Sequence, residues 1–116
     1  MKVAQSVGAA GEEIAASFLR ERGWRILARN FRCRFGEVDL VARDGSTVVF
    51  VEVKSSGQCG ELEERVAASQ QRRLRQAASI FLAGCTTVHT EYRFDVVLVT
   101  WGRSGPTVDH IINAFQ

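Results

Sequence analysis

An acidic and basic cluster stands out in the stretch GEVDLVARDGSTVVFVEVK. Glu52 and Lys54 are two residues apart in an otherwise apolar run, so a β-strand would present both side chains on one face. Asp39 comes earlier in the chain, and the dipeptide Asp44-Gly45 that follows it is a strong hairpin turn signal. A hairpin at this turn would bring Asp39 close to a position opposite Glu52, within about one step of register. The spacing therefore predicts that two carboxylates and one ammonium meet on adjacent strands.

Two kinds of chemistry fit such a cluster. Carboxylates on adjacent strands can hold Mg²⁺ through a few oxygens and leave its other positions to water and phosphate. A lysine beside that metal could orient or deprotonate an attacking water, or stabilise charge that develops on phosphate, as phosphodiester hydrolysis requires. The same side chains could instead form an inert salt-bridge cluster that holds the hairpin, because buried charges need partners. Spacing alone leaves both interpretations open.

The elements that position this cluster can be predicted from periodicity and turn residues. Apolar residues at helical spacing predict a first helix, which Gly23 would follow as a C′ glycine. Alternating and β-branched runs predict the strands, and the apolar run before Glu52 is typical of a central strand buried on both faces. The predicted segments are helix 8–22, an extended segment from Trp24, strands 37–43 and 47–54, loop 56–60, helix 61–83, and strands 92–101 and 107–112, the last at the sheet edge.

Length and composition narrow the class of protein. The order α-β-β-β-α-β-β predicts a mixed α/β domain, and a length of 116 residues suits a single domain spanning 1–116. No apolar run approaches the roughly 20 residues that span a bilayer. The N-terminal stretch lacks the apolar core of a signal peptide, so we expect a cytoplasmic protein that binds no membrane. Three widely spaced cysteines predict neither a disulfide framework nor a zinc site.

Arginine dominates the basic residues, with 13 arginines against 2 lysines, although the net charge is only +2. Arginine suits bidentate contact with phosphate, but solvated helix faces also carry it. Arg72 and Arg73 lie on the second predicted helix, and Arg34 lies just before the hairpin. These three arginines are the candidates for contact with a nucleic-acid backbone.

Several stretches of the chain resemble a known group of nucleases. GEVDL followed by VFVEVK is similar to the D-x(n)-E-x-K signature of the PD-(D/E)XK, or restriction-endonuclease-like, superfamily. More closely, the chain is identified as a member of the uncharacterised bacterial YraN family, and this resemblance covers nearly the whole sequence. The matching stretches are Gly11-Glu12, GWRILARNFRCRFGEVDLVARDG at 23–45, VFVEVK at 49–54, QRRLRQAA at 71–78, RFDVV at 93–97 and HIINAF at 110–115.

The resemblance implies a fold and a set of site residues. The expected fold is a restriction-endonuclease-like mixed β-sheet flanked by helices, similar to that of Holliday-junction resolvases. Asp39 and Glu52 match the metal-binding acids, and Lys54 matches the catalytic lysine. Glu12, on the first helix, matches an acid that in related nucleases helps to hold the metal or its waters, and Gln71 matches a glutamine near the active site. The implied cofactor is Mg²⁺ or Mn²⁺, held by Asp39, Glu52 and Glu12.

The function implied by the resemblance is metal-dependent hydrolysis of phosphodiester bonds in nucleic acid, in DNA rather than RNA, with branched or structured forms among the substrates. Resolvases act as dimers, so a homodimer would suit a branched substrate. Two departures favour an alternative, a non-catalytic nucleic-acid-binding or adaptor domain. Ser55-Ser56 and Gln70-Gln71 stand where many relatives carry a basic residue and a Lys-Gln pair. A third interpretation is a structural domain whose charged cluster is an ion-pair network.

Other polar residues are assigned structural roles. Glu37 is expected to form a salt bridge rather than to bind metal. Asp95 lies in a buried-looking strand and is expected to pair with an arginine such as Arg93. Asn30 is expected to make hydrogen bonds in a turn. No motif surrounds His110, so it is assigned no role.

Overall fold

Two helices and five strands form the part of the chain that the computed structural model describes, which comprises residues 3–56, 68–85 and 91–115. Their order is α-β-β-β-α-β-β, as the sequence predicts. Most of the predicted loop 56–60 and the start of the predicted second helix lie outside these ranges. None of the helices within them is long and apolar enough to cross a membrane. The elements are α1 (Val3–Glu21), β1 (Arg25–Cys33), β2 (Gly36–Asp44), β3 (Thr47–Ser56), α2 (Ala68–Ala83), β4 (Glu91–Gly102) and β5 (Gly105–Phe115).

Helix α1 forms because small and apolar side chains recur at helical spacing, and Leu19 is fully buried against the sheet. Gly23 follows the helix with a φ of 89°, a left-handed conformation that costs glycine little. Bonds from Gly23 N to Arg20 O (2.9 Å) and from Trp24 N to Leu19 O (3.1 Å) complete a Schellman cap, so the predicted role of Gly23 is confirmed. The helix begins at Val3 rather than at residue 8, since no proline intervenes to stop it.

The strands in the described ranges form one sheet in the order β1-β2-β3-β4-β5. Neighbouring strands are antiparallel except β3 and β4, which are parallel and lie on either side of α2 in the sequence. β3 is the middle strand, which explains its continuous apolar run. β5 is at the edge as predicted, but it extends over Gly105–Phe115 rather than 107–112.

Each face of the sheet packs against one helix. Side chains alternate along a strand, so neighbouring residues of β3 belong to different clusters. Val49 and Val51 pack with residues of α1, whereas Val48 and Phe50 pack with residues of α2. Continuing this alternation directs Glu52 to the α2 side of the sheet.

The alternation breaks in β1 and β2 beside the candidate site. Regular alternation predicts Val38 on the same side as Leu40, but Val38 packs on the α2 side while Leu40 packs on the α1 side. The exchange coincides with Asn30, which takes a φ of 52° between the paired positions Arg29–Leu40 and Phe31–Val38, and Phe31 packs on the α2 side with its partner Val38. A left-handed residue turns the strand about its axis, so the residues after it exchange faces.

Candidate active site

The β2–β3 hairpin brings Asp39 and Glu52 together. Its loop is two residues long, and the first of them, Gly45, takes a φ of 62°, as the tight turn requires. The ladder runs back from this turn to the pair Leu40 and Val51. Asp39 and Glu52 are the next positions on the two strands, so the register expected from the sequence is confirmed.

Asp39 is half-buried and is held by the backbone of β3. Its Oδ2 accepts a hydrogen bond of 2.8 Å from the backbone N–H of Val53. Val53 is the residue between Glu52 and Lys54, so the hydrogen bond fixes Asp39 against the centre of the motif. The carboxyl groups of Asp39 and Glu52 also lie close enough for each to shift the pKa of the other.

Glu52 is held from the opposite side by helix α2. The Nε2 of Gln70 donates a hydrogen bond of 2.8 Å to Glu52 Oε2. The resemblance points to Gln71, but the side chain that reaches Glu52 is that of its neighbour Gln70, while Gln71 accepts a bond of 3.3 Å from Arg75. The two glutamines precede the buried Leu74 by four and three residues, so helical spacing places both near the sheet and cannot choose between them.

Lys54 follows Glu52 on the same face of β3. It is partly buried, and its positive charge lowers the pKa of Glu52. Its ammonium nevertheless forms no ion pair within 4.0 Å with another residue in the described ranges. The ion pair that the salt-bridge interpretation needs is therefore missing among these residues.

Two further acids approach Asp39 through the side chain of Asn30. With its amide nitrogen turned toward the carboxylates, Asn30 donates to Glu12 Oε1 (3.2 Å) and to Glu37 Oε2 (2.6 Å). The expectation that Asn30 bonds within a turn is wrong, because the residue lies inside β1 and its left-handed backbone points the amide at these acids. Glu37 also forms the expected salt bridge, at 3.5 Å from Arg32 Nε.

Burial and the negative charge of neighbouring acids shift the pKa values of Asp39 and Glu52. Burial is the largest cause that raises the pKa of Asp39, followed by the charge of Glu52, and together with Glu12 and Glu37 they bring it to about 7 despite the Val53 hydrogen bond. Burial also raises the pKa of Glu52, although Lys54 and the Gln70 hydrogen bond oppose the shift. Close carboxyl groups with raised pKa values are typical of sites that bind cations or transfer protons.

The donor set fits a cation such as Mg²⁺ with a small number of protein ligands. In the described ranges, no three His, Cys, Asp or Glu side chains are grouped closely enough to hold a metal ion by themselves. Asp39 and Glu52 are adjacent, however, and Mg²⁺ is commonly held by one or two carboxylates together with waters and substrate phosphates. Glu12, whose charge also acts on Asp39, could hold the ion or one of its waters.

The candidate nucleic-acid contacts lie at the same end of the sheet as Asp39 and Glu52. Arg34 belongs to the turn between β1 and β2 and packs its guanidinium 4.9 Å from the centre of the Phe35 ring. Arg73, on α2, approaches this turn, because a Cβ on Gly36 would lie 3.9 Å from the Cβ of Arg73. Arg72 and Arg73 are both exposed on the helix.

A second polar cluster lies around Asp95, on β4, whose ladder partner on β3 is Val51. Arg93 donates two hydrogen bonds to the buried Asp95 carboxylate, of 2.9 and 3.2 Å, so the predicted ion pair is confirmed. His110 Nε2 is 2.8 Å from Asp95 Oδ2, and Arg22 Nη1 is 3.0 Å from His110 Nδ1. Because arginine can only donate, we assign the His110 proton to Nε2. The role of His110 could not be read from the sequence, because no motif surrounds it and Asp95 approaches it only through the pairing of β4 with β5.

Comparisons with known proteins place these residues in a family. The pattern of the uncharacterised protein family UPF0102 matches residues 11–99. A UPF0102 protein of Anaeromyxobacter dehalogenans is 50% identical over 97% of this chain and 85% of its own length. Similar proteins occur in Symbiobacterium thermophilum, with 47% identity over 98% of this chain and 99% of the relative, and in Geobacter metallireducens, with 44% identity over 97% and 93%. The resemblance to the YraN family, which is this family, is confirmed.

Proposed function

We propose that this chain, which belongs to the uncharacterised protein family UPF0102, is a metal-dependent nuclease. Its active site would consist of Asp39, Glu52 and Lys54 and would hydrolyse phosphodiester bonds of nucleic acid. The observation that carries the proposal is that the partly buried Asp39 and Glu52 occupy the hairpin positions next to the Leu40–Val51 pair, while Lys54 forms no ion pair within 4.0 Å with either acid. An ion-pair network would place Lys54 against one of these acids. An arrangement that leaves acids together and a lysine beside them is suited to a cation and a phosphate.

Each side chain of the cluster has a role that follows from its contacts. Asp39 and Glu52 would hold the metal, which, when bound, supplies Lewis-acid stabilisation of the phosphoryl oxygens and makes a water more acidic. The Val53 N–H and the Gln70 amide fix the orientation of these two carboxylates. Lys54, without an ion-pair partner in the described ranges, has its ammonium available to donate hydrogen bonds to a phosphate oxygen on which charge develops.

The arginines near the site support nucleic acid as the substrate. Arg34 lies in the β1–β2 turn and Arg73 lies beside Gly36 at the end of that turn, on the sheet end that carries Lys54, so a phosphate backbone could contact them while one of its phosphates reaches Lys54. We expect DNA to be the preferred substrate, with branched or structured forms among those cleaved. Phosphate contact by arginine does not depend on sequence, so little sequence preference is expected.

Cleavage assays with added metal test the proposal. Linear, flapped and four-way DNA and a matched RNA are incubated with Mg²⁺ or Mn²⁺, and with a chelator as the control. We expect metal-dependent cleavage that Asp39→Asn and Glu52→Gln each lower by on the order of 100-fold or more. Asp109→Asn, which changes an exposed acid on β5, is the matched control and should cleave like the wild type. Equal cleavage by wild type and both site variants would refute the proposal.

One observation favours a second candidate, a nucleic-acid-binding domain without turnover. Gln70 and the Val53 N–H already satisfy one oxygen on each of the two central acids, as they would in a site that has no metal to hold. This candidate predicts salt-dependent binding of the same nucleic acids with no cleavage in either metal. The presence or absence of cleavage products in one assay therefore distinguishes the two functions.

A further inference from the structure

Asn30 has an unusual backbone for a residue inside a strand. Its φ of 52° lies in the left-handed region, which is costly for residues other than glycine and is best tolerated by asparagine and aspartate. The position is not a turn, since the residues on both sides of Asn30 continue to pair with β2. The free-energy cost of this strained backbone must be offset by favourable interactions elsewhere in the protein.

The consequence of this kink is that two consecutive side chains of β1 reach the same helix. Arg29 Nη1 donates to Glu13 Oε1 at 2.6 Å, and the Asn30 amide donates to Glu12 Oε1 at 3.2 Å, both on α1. In a regular strand, consecutive side chains point to opposite faces, so the Asn30 amide would point away from α1 if Arg29 pointed toward it. The left-handed conformation is thus what aims the amide at Glu12.

The amide of Asn30 also reaches Glu37 Oε2, at 2.6 Å, and so bridges two acids that come from different elements. Asn30 lies opposite Asp39, between the pairs Arg29–Leu40 and Phe31–Val38, so the two acids that its amide contacts lie beside the candidate metal site and act electrostatically on Asp39. Like charges would separate these carboxylates, and the two N–H donors of one amide oppose that separation. Glycine would adopt the left-handed backbone conformation but has no side-chain N–H donors. Glutamine has the donors but tolerates a left-handed φ poorly.

We propose that Asn30 is a positioning residue, whose left-handed backbone and amide together hold Glu12 and Glu37 beside Asp39 in the arrangement that receives the metal. This inference rests on the proposed function and names a residue of the site that does not itself hold the metal. Residues that orient ligands or the waters around them typically contribute about 10- to 100-fold to metal affinity.

Titration calorimetry with Mn²⁺ on the full chain tests the proposal. Asn30→Gly keeps the left-handed backbone and removes the amide, and we expect it to bind Mn²⁺ about tenfold more weakly than the wild type. Asn30→Asp keeps the shape but puts a carboxylate against two others, so we expect a larger loss. Asn113→Gly is the matched control, because Asn113 also has a positive φ, of 56°, and its exposed side chain lies on β5; its affinity should equal that of the wild type. Wild-type affinity in both Asn30 variants would overturn the proposal.

A metal-free measurement separates this inference from the proposed function. Unfolding in chelator is compared for the wild type, Asn30→Gly, Glu37→Gln and the double variant. If the amide holds Glu37, the two effects are not additive, because removing either partner removes the same contact. If the wild type binds no Mn²⁺, the proposed function fails. The double-variant comparison still tests whether Asn30 positions Glu37: non-additive effects support that role, and additive effects overturn it.

Discussion

At the residue scale, the environment of Asp39 differs strongly from that of an ordinary surface acid. It is half-buried, it bonds to the Val53 N–H, and three other acids act on it electrostatically. A group this destabilised in its charged form lowers the stability of the metal-free protein unless a cation compensates it. Such an arrangement is typical of functional sites, where residues are placed for binding rather than for stability.

The pKa of Asp39 therefore predicts how the metal-free protein responds to pH. Since the pKa of about 7 in the folded protein exceeds the value of 3.8 for the free side chain, the stabilising contribution of the protonated group is present below about pH 4 and is lost as pH rises through 7. The asparagine side chain of Asp39→Asn does not ionise, so the variant does not lose this stability as the pH rises. We expect the variant to be roughly 1–2 kcal/mol more stable than the wild type at pH 8 and nearly equal to it at pH 4.

Urea unfolding in chelator at pH 4 and pH 8 measures this difference, with Asp109→Asn as the matched control on an exposed acid. The control should follow the wild type at both pH values. A destabilised Asp39→Asn at pH 8 would show that the carboxylate is stabilised by the fold and would contradict the charge distribution described for the site.

The sequence predicts the identity of the central residues better than that of their partners. Asp39, Glu52 and Lys54 follow from a hairpin whose register is fixed by its short loop. The choice of Gln70 over Gln71 depends on the rotation of α2 over the sheet, which helical spacing leaves open by one residue. The contacts of Asn30 depend on a single φ angle, and no residue pattern indicates a left-handed residue within a strand.

At the element scale, Asp95 holds the C-terminal part of β5, where the regular backbone ladder with β4 is interrupted. The ladder between β4 and β5 shifts register at this point, and Asp95 Oδ1 accepts a hydrogen bond of 2.9 Å from the backbone N–H of Asn113. A buried carboxylate thus replaces a strand partner and allows β5 to continue to Phe115. The predicted strand 107–112 is shorter than the observed one because a side chain, rather than local propensity, extends it.

Asp95 is accordingly expected to be essential for stability. Asp95→Asn removes the charge opposite Arg93 and disturbs the bond to His110, and we expect it to lower the free energy of unfolding by about 3 kcal/mol at pH 7. Burial raises the pKa of Asp95, but the bonds from His110, Arg93 and Asn113 outweigh it and bring the pKa below 3.8. The contribution of Asp95 is therefore present above about pH 4 and is lost as pH falls through the folded-state pKa.

Chemical unfolding at pH 7, and again at a pH below 3, checks both statements. The Asp95→Asn difference should shrink at the lower pH. Asp109→Asn, an exposed acid on the neighbouring strand, should change stability by less than about 0.5 kcal/mol. A fully stable Asp95→Asn protein at pH 7 would mean that the cluster contributes no net stability.

At the scale of the whole molecule, the sheet has two chemically different ends. The end that carries the β1–β2 turn holds Arg34, Arg73 and the acids of the candidate site, whereas the opposite end carries the β2–β3 turn at Gly45. A net charge of only +2 gives no strong overall attraction to nucleic acid, so the location of the arginines has to decide where a backbone binds.

Nucleic-acid binding should therefore depend on the arginines of one end only. We expect Arg34→Gln and Arg73→Gln each to weaken binding and to reduce the slope of log affinity against log salt by about one. Arg25→Gln, at the start of β1 and therefore at the opposite end, is the matched control and should leave the slope unchanged. Fluorescence anisotropy with a labelled duplex over a range of salt concentrations measures the slopes, and an equal loss for all three variants would contradict a localised site.

The order of elements was predictable from the sequence because turn glycines and alternating runs mark it locally. The central position of β3 followed from its apolar run, and the end of α1 followed from Gly23. The reversal of faces at Asn30 and the extension of β5 were not predictable, since both depend on contacts between elements distant in sequence.

The central claim is that Asp39 and Glu52 together form the site of one catalytic metal ion. Diffraction from a crystal of the protein soaked in Mn²⁺, recorded where manganese scatters anomalously, tests it most directly. We expect an anomalous peak within about 2.5 Å of a carboxylate oxygen of both residues. Anomalous peaks found elsewhere, with none between Asp39 and Glu52 and with the Gln70 and Val53 hydrogen bonds unchanged, would contradict it.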